Sequence, residues 1–198
     1  MAALVVFVLG REPVCGPPNA EGLARLKSAW QQGQVTMLLR HAETCEGGPP
    51  ECLDVLNDAG KAQAVATGES IRKLFGAGVE VGVEAGMKSA AVFHSPRERT
   101  RETAFLAFGE SEELPALADC KGDFQGFVNS RNNSRKMGRN EILVTHSTCL
   151  NSLKNEWGLS LLGFNARDAK YYGVAVLLTG REKTPLACIA KHDWQALE

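Results

Sequence analysis

Along this chain the apolar positions gather in short runs that stop abruptly at a polar residue and then give way to helical periodicity. "VTMLLRH" ends at Arg40 and His41, "SAAVFHSPRERTRETAFLAFG" breaks at His94, and "EILVTHSTCLNSLKNEWG" breaks at His146. Short apolar runs bounded by polar breaks read as buried strands, and strands alternating with helices imply parallel pairing in an α/β layered fold. After the first break, "LNDAGKAQAVATGESIRKLFG" offers Asn57 or Asp58 as N-cap, apolar residues at Val65, Ile71 and Phe75, and Gly76 as stop. That pattern predicts a helix covering the sheet.

The second segment has the signature of a helix start. Ser95 stands where a cap belongs, Pro96 would take the first helical position, and Glu98 lies three residues after the cap at capping-box spacing. Arg99 then falls in the first turn. In the third segment Ser147 is the expected cap and Gly158 the stop, with His146 between strand and cap. "YYGVAVLLTG" and "LACIAKHDW" predict two further strands joined by a turn around "REKTP". Residues 110–139 lack clear periodicity, so a solvated loop with a short helix is expected there. Arg97, Arg101 and the basic run from Arg131 to Arg139 are expected at the surface. The chain shows neither an internal repeat nor a low-complexity tract.

Composition sharpens this picture. A chain of 198 residues, 44% of them hydrophobic, is enough for one core with layers on both sides of a sheet. The expectation is a single domain over residues 1–198, with 1–34 as an N-terminal extension and 110–139 as a variable insert. Twenty-two basic residues against 23 acidic ones give a net charge of −1, which argues against a nucleic-acid partner held by bulk attraction. No apolar stretch approaches the roughly 20 residues of a membrane-spanning helix. "MAALVVFVLG" has the length of a signal-peptide core but no basic segment before it and no small-residue cleavage site after it. Two readings stand: the tail of an export signal, or a short apolar segment docked on the domain.

Six cysteines are present, and Cys45 and Cys52 flank the loop "EGGPPE" so that a short disulfide can close it. That pairing favours an oxidising compartment. A zinc reading of Cys45, Cys52, His146 and Cys149 lacks the C-x2-C spacing of a common structural site.

In an open α/β sheet, ligands bind beyond the carboxyl ends of the strands, where the following helices point their N-termini. Arg40 with His41, His94 with Arg99, and His146 all occupy such positions. Two guanidiniums can grip a phosphate in fork geometry, each charge-assisted hydrogen bond contributing about 1.5–3 kcal/mol. A neutral imidazole can attack phosphorus in line while those cations take the charge of the transition state, a scheme that requires no metal and no cofactor.

These residues resemble a known family. "LLRHAET" is similar to the Arg-His-Gly-Glu-Thr signature of the histidine phosphatase superfamily, with Ala42 in the usual glycine position. "LNDAGKAQA" resembles its Leu-Thr-x-x-Gly-x-x-Gln-Ala helix start, and "HSPRERTRETA" its Ser-x-x-x-Arg-x-x-x-Thr-Ala segment. The second match makes Arg99, not Arg97 or Arg101, the second phosphate arginine. "LVTHSTCL" resembles the strand that carries the second catalytic histidine, here His146.

The resemblance implies a phosphoglycerate-mutase-like fold, a three-layer sandwich with a mostly parallel central sheet and helices on both faces. It also implies that Arg40, Arg99, His41 and His146 hold the phosphate and that His41 is the nucleophile. The family's proton donor lies in the insert, and among Asp119, Glu112, Glu113 and Asp123 the segment "LAD" before a glycine turn best resembles it. That assigns Asp119. His94 and Ser147 are candidate pocket-rim residues. Phytase-like members place the donor directly after the second histidine, but Ser147 stands there, and His192-Asp193 reads as a surface pair.

"RHAETCEGGPPECL", "LADCKG" and "THSTCL" are similar to the lipopolysaccharide core heptose phosphate phosphatases, in which cysteines recur near these motifs. That narrower resemblance implies a periplasmic protein acting on a phosphorylated sugar of the cell envelope, the alternative being a cytoplasmic one. The leading expectation is a metal-independent phosphomonoesterase working through a phosphohistidine. The competing readings are a mutase, which needs more lid than residues 110–139 provide, and a non-catalytic phospho-ligand module. The implied partner is a small phosphorylated molecule, and the oligomeric state is left open.

Overall fold

Strand β1 (Val35–Arg40) is buried at every position, which is why it reads as an unbroken apolar run and not as an alternation. The structure is a computed structural model, and its described residues are 18–45, 49–76, 90–118, 120, 122–134, 139–154, 175–179, 186–189 and 193–197. Beside β1 lie β2 (Ala91–His94), β3 (Glu112–Glu113), β4 (Glu141–Thr145), β5 (Ala175–Thr179) and β6 (Ala187–Ile189), in the spatial order β3-β2-β4-β1-β5-β6. Strands β3, β2, β4 and β1 are mutually parallel. Strands β5 and β6 form the antiparallel pair expected near the C-terminus, with β5 also antiparallel to β1.

Side chains alternate across the sheet and meet a different helical layer on each face. Val35, Met37 and Leu39 join the cluster formed with α1 (Ala20–Gln31), α2 (Asp58–Phe75) and α3 (Glu98–Phe108), where Trp30 stacks on Phe75 at 4.2 Å. Leu38 and Leu143 face the other way, onto α4 (Phe124–Ser134) and α5 (Ser147–Lys154). The three layers are therefore those expected. Among the described residues no helix is long and apolar enough to cross a membrane.

Neighbouring strands β1 and β4 send their following helices to opposite faces, α2 to one and α5 to the other. That makes the gap beyond their carboxyl ends the topological switch point, where open α/β sheets leave a crevice. The N–H of His41 donates to the Thr145 carbonyl at 3.0 Å, carrying the ladder one residue past β1 and fixing the edge of that crevice.

Several expectations are corrected. Helix α2 is capped by Asn57, whose Oδ1 accepts the Gly60 N–H at 2.7 Å, and stops at Gly76 with φ 82°, as read. Val65, however, is exposed, and Ala64, Ile71 and Leu74 carry the burial. Helix α3 starts at Glu98, not at Pro96, and its N-cap residue is Arg97 with no side-chain cap bond. Ser95 is not a cap because its hydroxyl is taken up by His146 and Thr100, and Glu98 pairs with Arg101 in place of closing a capping box. Helix α5 starts at Ser147 itself, and the His146 carbonyl accepts the N–H groups of Cys149 and Leu150.

In the insert, α4 is accompanied by the edge strand β3 and a 3-10 turn at Pro115–Leu117. Arg131 is not loose surface charge: it pairs in a fork with Glu141 and lies over the Phe93 ring at 4.3 Å. Asp193, read as half of a surface pair, is buried. The apolar N-terminal segment, Gly158 and His192 lie outside the described residues.

Candidate active site

The crevice at the switch point is lined by the residues that end β1 and β4. Arg40 is the last residue of β1, His41 follows it, and His146 follows β4; all three are at least 90% buried. The two imidazoles stand with ring centres 5.4 Å apart and planes inclined by 60°. Arg99, in the first turn of α3, brings Nη2 to 3.5 Å from His146 Nδ1. Residues from three separate segments of the chain thus come together beyond the ends of β1 and β4.

The orientation of His41 follows from the backbone. Its Nδ1 lies 2.8 Å from the Ala42 carbonyl, an acceptor only, so Nδ1 carries the proton and Nε2 presents a lone pair. The Ala42 N–H in turn donates to Thr103 Oγ1 at 2.9 Å, which fixes the peptide that fixes the ring. Burial pushes the His41 pKa down to about 3; the bond to Ala42 opposes this, and Arg40, Arg99 and His146 lower it further. His146 is lowered to about 4, again chiefly by burial, then by Arg99, Arg97 and Arg40. At neutral pH both rings are therefore uncharged within a field of fixed cations.

Arg99 is held from the loop that follows β1. Its Nη1 donates to the Leu53 carbonyl at 3.0 Å and lies 3.4 Å from Asp54 Oδ1. Leu53 and Asp54 belong to a 3-10 turn (Pro50–Asp54) tied back by the Cys45–Cys52 disulfide, whose Cα atoms are 5.5 Å apart. The expected disulfide is present, and it supports Arg99 through the turn it closes. A second disulfide, Cys120–Cys149, joins the insert to the first turn of α5, three residues past His146. With Cys45, Cys52 and Cys149 so bonded, the cysteines of the zinc reading are not metal ligands.

Ser147 is half-buried at the start of α5. His94 is buried at the end of β2 with Nδ1 2.8 Å from the Ser95 carbonyl. Glu112 and Glu113 are exposed on β3, and Asp123 Oδ1 accepts the Gly126 N–H at 2.7 Å near the start of α4. Asp119 lies outside the described residues. Sequence reading missed the roles of Ser95, Leu53 and Asp54 and the pairing of Cys120 with Cys149. The recurrence of Cys beside both strand-end motifs was the one signal for the last.

No family model matches the sequence, and no curated protein matches it. Solved structures do share its architecture. The SixA protein of Agrobacterium tumefaciens is similar at 17% identity with a TM-score of 0.53, over 80% of this chain and 98% of that one. The Rv3214 product of Mycobacterium tuberculosis is similar at 20% identity and a TM-score of 0.52, over 81% and 100%. A phosphoserine phosphatase of Entamoeba histolytica, solved as a histidine-to-alanine variant with phosphoserine, is similar at 14% identity and 0.52, over 76% and 93%. These likenesses define the class of fold, an α/β sandwich of the phosphoglycerate-mutase-like kind.

Proposed function

We propose that this protein is a histidine phosphatase that hydrolyses small phosphomonoesters through a phosphohistidine at His41. The observation that carries the reading is the state of that ring: proton fixed on Nδ1 by the Ala42 carbonyl, a lone pair therefore on Nε2, and neutral at pH 7 in the field of Arg40 and Arg99. Nε2 attacks phosphorus, a P–N bond forms and the ester P–O bond breaks, and water then cleaves P–N to release phosphate. Arg40 and Arg99 neutralise the oxygens of the transferred group in both steps, which is where such transition states gather charge. The phosphoserine phosphatase with the same fold, solved with phosphoserine, supports a phosphomonoester as the ligand class.

The finer parts of the reading rest on the sequence resemblance. Residues 1–198 form one catalytic domain, Asp119 protonates the leaving oxygen and later activates water, and His94 and Ser147 line the rim. The substrate is a phosphorylated sugar of the cell envelope, met in the periplasm; the disulfides Cys45–Cys52 and Cys120–Cys149 support an oxidising compartment. Rapid quench with a labelled ester in EDTA tests the core of it: an acid-labile, alkali-stable phosphoenzyme is expected, and normal turnover by His41→Ala would overturn it.

A further inference from the structure

The Ser95 hydroxyl lies buried between the two halves of the site. Its Oγ is 2.7 Å from His146 Nε2, 2.8 Å from Thr100 Oγ1 and 3.3 Å from the Arg97 N–H, and Ser95 is fully buried. The position of each proton can be worked out from these distances. Thr100 Oγ1 is 2.6 Å from the Arg97 carbonyl and 2.9 Å from the Ser95 carbonyl, so its single proton is drawn to a carbonyl oxygen. Thr100 is left an acceptor, and it takes the Ser95 proton. Ser95 Oγ then has only lone pairs to offer His146, and the proton in that bond must come from Nε2.

The opposite side of the ring agrees. Arg99 Nη2 stands 3.5 Å from Nδ1, and a guanidinium can only donate, so Nδ1 faces it with a lone pair. We propose that Ser95 is a positioning residue of the phosphatase site, fixing His146 as its Nε2–H tautomer so that Nδ1 is turned to Arg99 and the bound phosphate. The role assigned to the phosphate rests on the function proposed above; the tautomer does not. With Nδ1 unprotonated, His146 can take the proton of a bound phosphomonoester monoanion and return it as a hydrogen bond to the phosphoryl oxygen. The charged or titratable groups facing the ring are Arg40, Arg97, Arg99 and His41, three cations and one neutral imidazole; burial first, and then the three cations, keep the ring uncharged at pH 7.

Nitrogen-15 NMR of the full chain labelled at histidine reads the tautomer directly. In the free wild-type protein His146 should show a protonated Nε2 and an unprotonated Nδ1, and Nδ1 should shift when inorganic phosphate is added. Thr100→Val keeps the shape but removes the acceptor of the Ser95 proton, freeing that proton for Nε2. It should invert the tautomer and lower kcat toward p-nitrophenyl phosphate by roughly 10²-fold, the low end for a positioned acid–base group. Thr100→Ser retains the hydroxyl and should behave as wild type. Ser95→Ala should leave His146 as a mixture of tautomers. A wild-type ring protonated on Nδ1, or a tautomer unmoved in both Ser95→Ala and Thr100→Val, would overturn the proposal whatever the melting temperatures do. Should Ser95→Ala fail to fold, Thr100→Val decides. Absence of a phosphoenzyme in the wild type would sink the phosphatase reading and leave the tautomer result standing.

Discussion

At the end of β1 the His41 ring turns Nδ1 to the carbonyl of the next residue at 2.8 Å, and at the end of β2 the His94 ring does the same at the same distance. Both are 5% exposed, and both belong to parallel strands flanking β4. Their surroundings differ. His41 has Arg40, Arg99 and His146 about it, whereas the charge that responds to His94 is the carboxylate of Glu98. A strand-end histidine bonded to the following carbonyl is thus something the backbone supplies wherever the sequence offers the ring. Cations from its own strand and from a helix, with a second imidazole from the end of β4, set the His41 ring apart and are the ground for proposing it as the nucleophile.

The largest expected effect tests that contrast directly. His41→Ala should lower the rate of phosphoenzyme formation by at least about 10³-fold, while His94→Ala should stay within a few-fold. Equal losses in rapid quench would erase the distinction. Next, Arg99→Ala should reduce kcat/KM by roughly 10²-fold, because in the proposed mechanism that cation meets both bound phosphate and transition state, against a few-fold for the exposed Arg97. The reverse ranking in steady-state kinetics would move the phosphate site toward His94.

A smaller effect is expected at one remove from the phosphate. Cys45→Ser with Cys52→Ser loosens the turn that presents Leu53 and Asp54 to Arg99 but leaves the cation, so kcat/KM should fall only about tenfold. Chain entropy predicts a stability loss of about 2–3 kcal/mol for a loop this short, read by denaturant unfolding. Mass spectrometry of the native protein should find the pair oxidised.

The smallest effect concerns pH. In the unfolded chain His41 takes up a proton near its ordinary value of 6.5, whereas in the fold it does so only near about 3. Between those values the unfolded state binds more protons, so stability rises with pH across that window and is lost as the solution is acidified through it. His146, lowered to about 4, adds to the slope over its upper part. Melting temperatures from pH 7 to pH 4 should fall less steeply in His41→Asn than in wild type.

What the sequence made legible was whatever local pattern decides. The strand-end positions of Arg40, His41 and His146 follow from where apolar runs stop, and α2 carries its cap and its stop in its own residues. Ser95 shows the opposite case. Its spacing to Pro96 and Glu98 is that of a helix start, but a hydroxyl bonds to its nearest good partner, and His146 arrives from 51 residues away. Cys120 and Cys149 pair because β4 inserts between β1 and β2, and strand order is written in no single segment. Asn140 directly follows a basic run that reads as solvated, yet it is fully buried, accepting from the Val35 N–H and donating to the Trp30 carbonyl.

Gly60 lies where the first turn of α2 meets the loop after His41. A Cβ there would fall 2.0 Å from the Glu43 carbonyl oxygen, so only a bare backbone lets helix and loop touch. Asn57 Nδ2 adds bonds to Glu43 Oε1 and the Thr44 carbonyl, and Glu102 accepts the Leu56 N–H at 2.7 Å. The loop beside His41 is thereby sewn to two helices before any ligand arrives. Its ordering entropy is borne once, at folding, and not again at each encounter with a substrate. Under the proposed phosphatase reading, selection among esters on that side of the site is by fit to a wall already set, and a ligand that requires the wall to yield is turned away.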